Sequence, residues 1–358
     1  MKRRTFSKSV LVTGLLSASQ SLAGSRWMAP AEADPHTATW MSWPTSSGIY
    51  GDEAYLESVQ EHLGRLARAI ARFEPVLMAA PAGAFERVRA LCGSGVRPID
   101  VPTNDMWMRD TGPVFLRSEQ GGLIATDFNF NGWGGRQAPR KHDEAVAANV
   151  ADYLSVPTVH TFLVGEGGGL EWDGDGTLLL TDSCWLNDNR NPGISKATMT
   201  KELRRLLGVE KVIWLPGVRD QDITDGHIDG AIRFVRPGLI MTGGYPDDDS
   251  DWGLALKESR RILAGETDAR GRPFDLVDVP SATNPANGSE ELFTGYANFY
   301  TANGAVFTPL FGDRVADESA VKKLADLFPD REVVALEVDR LYENGGGIHC
   351  VTQQQPAV

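Results

Sequence analysis

Gly345-Gly346-Gly347-Ile348-His349-Cys350 is one of four short loops in which glycines crowd around an acid, a histidine or a cysteine. The other three are Met108-Arg109-Asp110-Thr111-Gly112-Pro113, Gly165-Glu166-Gly167-Gly168-Gly169 and Asp225-Gly226-His227-Ile228-Asp229-Gly230. The step from Asp110 to Glu166 nearly equals that from Glu166 to His227, and the step from His227 to Cys350 is about twice as long. A fixed period marks a repeated supersecondary unit, so the spacing predicts five modules, one of which has lost its reactive residue. The vacant slot falls near Tyr296-Ala297-Asn298-Phe299-Tyr300-Thr301-Ala302-Asn303-Gly304. Five modules closed in a ring would aim their loops at one centre. Chance spacing of four turns is the competing reading.

The chain between the loops alternates between two periodicities, which makes the fold class α/β. Leu56, Val59, Leu63, Leu66, Ala67 and Ile70 form one stripe of a helix over 53–73, with Asp52 as its N-cap. Helices are also predicted over 143–154, 196–207 behind Ser195, 253–264 and 318–327. Extended runs are predicted over 76–79, 177–181, 212–215, 232–235, 239–242, 306–308 and 333–338. No linker-like tract interrupts this pattern, so residues 24–358 read as a single catalytic domain.

The 358 residues are 42% hydrophobic and 23% charged, enough for a large core, and the formal net charge is −13. Such an acidic chain is a poor partner for nucleic acid or an anionic membrane. It suits a cationic substrate, although acidity for solubility alone is the commoner reason. Lys2-Arg3-Arg4-Thr5-Phe6-Ser7-Lys8, an apolar run from Val10 to Ala18, and Ser21-Leu22-Ala23 read as an export signal of the twin-arginine type over residues 1–23. The expected location is the periplasm. Cys92, Cys184 and Cys350 have no metal-knuckle or disulfide-framework spacing, and their odd number leaves at least one free thiol in an exported protein.

One Cys, one His and three acids in the loops match the needs of one reaction. A guanidinium stays protonated and its carbon is a weak electrophile. Attack on it calls for a thiolate, carboxylates to grip the planar cation, and an imidazole to protonate departing ammonia and then activate water. Each residue also has a duller reading. Cys350 could be a buried small apolar side chain, but its glycines argue for close backbone approach to something bound. Asp110 beside Arg109 could be an ion pair, Glu166 a turn residue, and His227 with Asp229 a surface turn. No second His stands at ligand spacing, so a zinc site is not expected. Gly165–Leu170 matches only part of a dinucleotide fingerprint. Glu171-Trp172-Asp173-Gly174-Asp175-Gly176, with Asp182 six further on, imitates a calcium loop but reads better as a hairpin turn.

Several longer stretches resemble the agmatine deiminase family, which also includes bacterial-type peptidylarginine deiminases. These are Trp40-Met41-Ser42-Trp43-Pro44, Asp105 to Pro113, Gly132-Trp133-Gly134-Gly135, Leu186 to Pro192, Asp225 to Gly230, and Gly346 to Pro356. The resemblance runs from about Pro35 to Pro356. It implies a five-bladed, pseudo-symmetric α/β propeller of the pentein type with a central active site. It also implies a covalent cysteine thiouronium intermediate, no metal or organic cofactor, and a possible homodimer. Carried over by position, Cys350 attacks the guanidinium carbon, Asp110 and Asp229 bind its nitrogens, His227 is general acid and then base, and Glu166 orients His227. Trp107 and Trp133 fall in the matched stretches as substrate contacts. Asp220 or Glu171 is the expected carboxylate for the amine end of the substrate.

The reaction so implied is agmatine plus water to N-carbamoylputrescine plus ammonia. Peptidylarginine deimination is the alternative within enzymes. A non-catalytic periplasmic binder of guanidines would need Asp110 and Asp229 but neither Cys350 nor His227.

Overall fold

The computed structural model describes residues 26–244, 249–289 and 292–358; the predicted export signal lies outside them. Five small sheets form among the described residues, each built the same way. An antiparallel pair is followed by a helix on the outside and then by a strand parallel to the second. In the second sheet Val114–Ser118 pairs with Leu123–Asp127, helix Val146–Leu154 follows, and Thr158–His160 lies parallel to the second strand. The pattern recurs with Leu170–Trp172, Thr177–Thr181, helix Lys196–Leu207 and Lys211–Leu215. It recurs again with Ile232–Arg236, Leu239–Thr242, helix Asp251–Gly265 and Asp275–Asp278, and with Tyr300–Ala302, Ala305–Pro309, helix Arg314–Leu327 and Glu332–Leu336.

The first sheet takes its opening strand from the other end of the chain. Gln353–Pro356 runs antiparallel to His36–Ser42, which is parallel to Val76–Ala80 and, beyond it, Val96–Asp100. This pairing closes the ring, so the propeller has five blades rather than an open row with a bare edge. Trp40 Nε1 donates to Gln355 Oε1 across the seam at 3.0 Å.

Local sequence accounts for these elements. Helix Glu53–Ile70 begins where the Asp52 carboxylate accepts from the Tyr55 amide, and it buries the predicted stripe while its opposite face stays charged. Ser195 caps Lys196–Leu207 in the same manner, and Gly208 ends that helix in the left-handed conformation. The predicted helix over 143–154 opens as a 3-10 turn, Asp143–Ala145, before becoming α-helical. The calcium-like segment is a hairpin: Asp173 Oδ1 accepts from the amides of Asp175 and Thr177. No helix among the described residues is long and apolar enough to cross a membrane.

A segment before the first sheet straps the ring. Trp27–Met28 pairs with Ser118 and Arg117, the Ala29 amide donates to Leu207, and Trp172 Nε1 donates to Pro30. Leu63, fully buried where helix Glu53–Ile70 meets the first sheet, tests the packing. Leu63→Ala is expected to lower unfolding stability by about 2–5 kcal/mol, read as an earlier denaturant midpoint; an unchanged midpoint would contradict that packing.

Candidate active site

Each blade sends one loop, immediately ahead of its first strand, to the axis of the ring. Asp110 precedes Val114–Ser118, Glu166 precedes Leu170–Trp172, His227 and Asp229 precede Ile232–Arg236, and Cys350 precedes Gln353–Pro356. The fifth loop carries Asn298, ahead of Tyr300–Ala302. The slot read as having lost its reactive residue is therefore occupied: Asn298 Nδ2 donates to Cys350 Sγ at 3.2 Å and to the Asp229 carbonyl at 3.2 Å. Sequence reasoning located the slot but missed the residue, because a neutral amide does not stand out among aromatic neighbours.

Asp110, His227, Asp229, Asn298 and Cys350 line one cavity of about 830 Å³, together with Trp107 and Trp133. His227 sits between two carboxylates, its Nε2 3.2 Å from Glu166 Oε2 and its Nδ1 3.7 Å from Asp110 Oδ1. Asp110 accepts from Trp133 Nε1 and from the Gly168 amide, both at 3.0 Å. The Cys350 thiol lies 3.5 Å from Asp229 Oδ2. Glu166 is buried behind the cavity, and Arg190 Nε donates to both of its oxygens at 2.9 Å. Arg190 is held in turn by Asp225 at 2.8 Å.

Two glycines are required by close approach. A Cβ on Gly168 would lie 2.7 Å from both Asp110 Oδ1 and His227 Nδ1, and one on Gly347 would lie 2.5 Å from Asn298 Oδ1. The glycines ahead of Cys350 thus admit neighbouring side chains; at Gly346 the neighbour is the Trp107 ring.

Burial dominates the electrostatics. It raises the Asp110 carboxyl to about 6, with Asp229 and Glu166 adding to the rise and His227 opposing it. For His227 burial disfavours the cation, but Asp110 and then hydrogen bonding to Cys184 and Glu166 outweigh it and hold the imidazole well above its usual value. Burial would raise Glu166 and Asp229, yet Arg190 and His227 keep the first, and His349 and His227 the second, below the ordinary carboxylate range. Burial, Asp229 and Asp110 push the Cys350 thiol well up. The free site is therefore arranged to receive a cation, which would favour thiolate and carboxylates together.

Other expectations map differently. Arg109 does not pair with Asp110; it reaches away to Gln354 at 2.8 Å and Glu32 at 3.4 Å. Asp220 lies off the cavity lining, exposed and paired with Arg136 at 2.6 Å. Glu171 is also away from the cavity, buried against Arg233 at 2.9 Å. Neither side chain is brought to the cleft. Glu166, Cys184 and His227 are the one group among the described residues with side-chain atoms close enough to share a metal ion. Arg190 already occupies both Glu166 oxygens, so the group fits a hydrogen-bonded cluster better than a metal centre.

The family model of Porphyromonas-type peptidyl-arginine deiminases matches residues 28–356. The chain is 36% identical over 352 residues to an agmatine deiminase of Pseudomonas aeruginosa, covering 92% of this chain and 95% of the relative. It is 35% identical over 361 residues to an agmatine deiminase of Medicago truncatula, covering 92% and 96%. Among solved structures, the agmatine deiminase of Enterococcus faecalis superposes with a TM-score of 0.85 at 29% identity, covering 93% of this chain and 96% of that one.

Gly168→Ala is expected to separate Asp110 from His227 while leaving the buried scaffold intact. Catalytic efficiency should fall by at least about 100-fold, and the overpacked site should cost about 1–3 kcal/mol of stability with the fold retained by circular dichroism; near-normal efficiency would contradict the described spacing.

Proposed function

The chain belongs to the family of agmatine deiminases and Porphyromonas-type peptidyl-arginine deiminases, and from that premise we propose that it hydrolyses agmatine to N-carbamoylputrescine and ammonia. The observation that carries this reading is the convergence of a thiol, two carboxylates and an imidazole on one cavity. Asp110 and Asp229 would each accept hydrogen bonds from guanidinium nitrogens, turning the cation's carbon toward Cys350 Sγ. The bound positive charge favours loss of the thiol proton to water in the cavity, and the resulting thiolate attacks the carbon.

His227, protonated at the start, gives its proton to the departing nitrogen, which leaves as ammonia as its C–N bond breaks. A thiouronium remains on Cys350. The neutral imidazole then takes a proton from water as the oxygen bonds to the same carbon; the C–S bond breaks as C=O forms, and the remaining hydroxyl proton passes to the sulfur, releasing the ureido product and restoring the thiol. Glu166 holds His227 in line for both transfers, and Asn298 donates to the sulfur when it is anionic. These steps use side chains alone and call for no metal or cofactor chemistry.

A second substrate is kept in view by the cavity's size. About 830 Å³ is ample for more than a small diamine derivative, and its lining includes the exposed Arg136 and Gln221, able to contact an arginine-containing peptide. Export by residues 1–23 with cleavage after Ala23 would place the enzyme where it meets such peptides. A homodimer is the proposed assembly, to be read from light scattering of the mature chain.

Purified mature protein incubated with agmatine, free arginine and an arginyl peptide is expected to release ammonia fastest from agmatine, and Cys350→Ala to release none. Full turnover by that variant would overturn the mechanism, and turnover of peptide alone would reverse the substrate. With burial pushing the Asp110 carboxyl up to about 6, kcat/KM should fall as pH drops below that value, because the protonated carboxyl no longer attracts the cation. It should fall again on the alkaline side as His227 loses its proton. A flat profile from pH 5 to 8 would contradict this assignment of charge.

A further inference from the structure

On the side of the site away from the cavity, Asp229 meets a second histidine. His349 Nδ1 lies 2.7 Å from Asp229 Oδ2, and its Nε2 lies 2.8 Å from Glu32 Oε2. The imidazole is buried, and its backbone is fixed by the Asn298 side chain, which accepts from the His349 amide at 3.0 Å. Glu32 comes from the strap before the first sheet, and its carboxylate is itself pinned by Arg233 at 2.9 Å and by the Thr301 amide at 2.9 Å. A rigid line therefore runs from the strap through the ring to the carboxylate beside the nucleophile.

The chemistry of this line is directional. Asp229 Oδ2 is the oxygen 3.5 Å from Cys350 Sγ, so a carboxylate free to rotate or to take up a proton would turn a donor toward the sulfur and lose its grip on a cation. An ionised Asp229 can only accept, so the 2.7 Å contact puts a proton on His349 Nδ1, although burial, Arg109 and Arg233 disfavour the doubly protonated ring; that donor fixes both the rotamer and the acceptor character of the oxygen. We propose that His349, anchored by Glu32, is the positioning residue that holds Asp229 as an aimed carboxylate for guanidinium binding. This rests on the deiminase reading above.

The test measures binding rather than turnover, in a Cys350→Ala background, by titrating agmatine and an arginyl peptide calorimetrically at pH 8. An asparagine amide falls near the Nδ1 position of histidine and a glutamine amide near Nε2. His349→Asn therefore keeps the donor toward Asp229, while His349→Gln keeps only the contact to Glu32. His349→Gln should weaken agmatine binding by at least about tenfold, whereas His349→Asn should stay within about threefold of the parent. Equal losses in both would reduce His349 to a packing residue, and parent-like affinity in both would deny it any role.

Glu32→Gln leaves the imidazole in place but loosens its anchor, and should weaken binding by about threefold. If neither His349 variant folds, as judged by circular dichroism, parent-like affinity in Glu32→Gln overturns the proposal. A Cys350→Ala parent that binds neither ligand would instead sink the deiminase reading, and the role proposed for His349 with it.

Discussion

Two carboxylates buried on either side of a thiol are the constraint on which the rest of the structure depends. Removing a carboxylate from water costs several kcal/mol unless charge and hydrogen bonds replace the solvent. Asp110 is given Trp133 Nε1, the Gly168 amide and the nearby His227. Asp229 is given His349. Incomplete compensation is visible at Asp110, whose carboxyl is pushed up to about 6, and at the raised Cys350 thiol. An incoming cation would supply what the protein withholds, so affinity for a guanidinium and activation of the nucleophile have one physical origin.

Around this centre lies a ring of supporting ion pairs. Arg190 joins Glu166 to Asp225, and Arg233 joins Glu171 to Glu32. These pairs are buried, and they gain geometry more than stability. Arg190 fixes the carboxylate that orients His227, and Arg233 fixes the one that reaches His349. Each joins residues from different blades or from the strap, so the packing of neighbouring blades and of the strap also assembles the charge network.

Much of the architecture was legible because its causes are local. The stripe of Leu56, Val59, Leu63, Leu66 and Ile70, the caps at Asp52 and Ser195, and the glycines ahead of each inner strand lie within a few residues of the elements they specify. The period of the reactive loops located all five slots. Identity failed where the chemistry was neutral or the partner distant. Asn298 matters through the sulfur it touches, a contact spanning 52 positions, and Glu32 meets His349 across 317. Arg109 likewise reads as the partner of its neighbour Asp110 until the fold turns it toward Gln354 and Glu32. Asp220 and Glu171 attracted attention as acids, but Arg136 and Arg233 already engage them.

The central claim is that Cys350 forms a covalent bond to the guanidinium carbon while Asp110 and Asp229 hold the cation. Rapid acid quench of the protein during turnover of agmatine, followed by proteolysis and mass spectrometry, tests it most directly. The account predicts an adduct of agmatine less ammonia on the peptide that carries Cys350 and on no peptide carrying Cys92 or Cys184. Steady turnover with every cysteine unmodified at all quench times, or an adduct on either of the other two thiols, would contradict it.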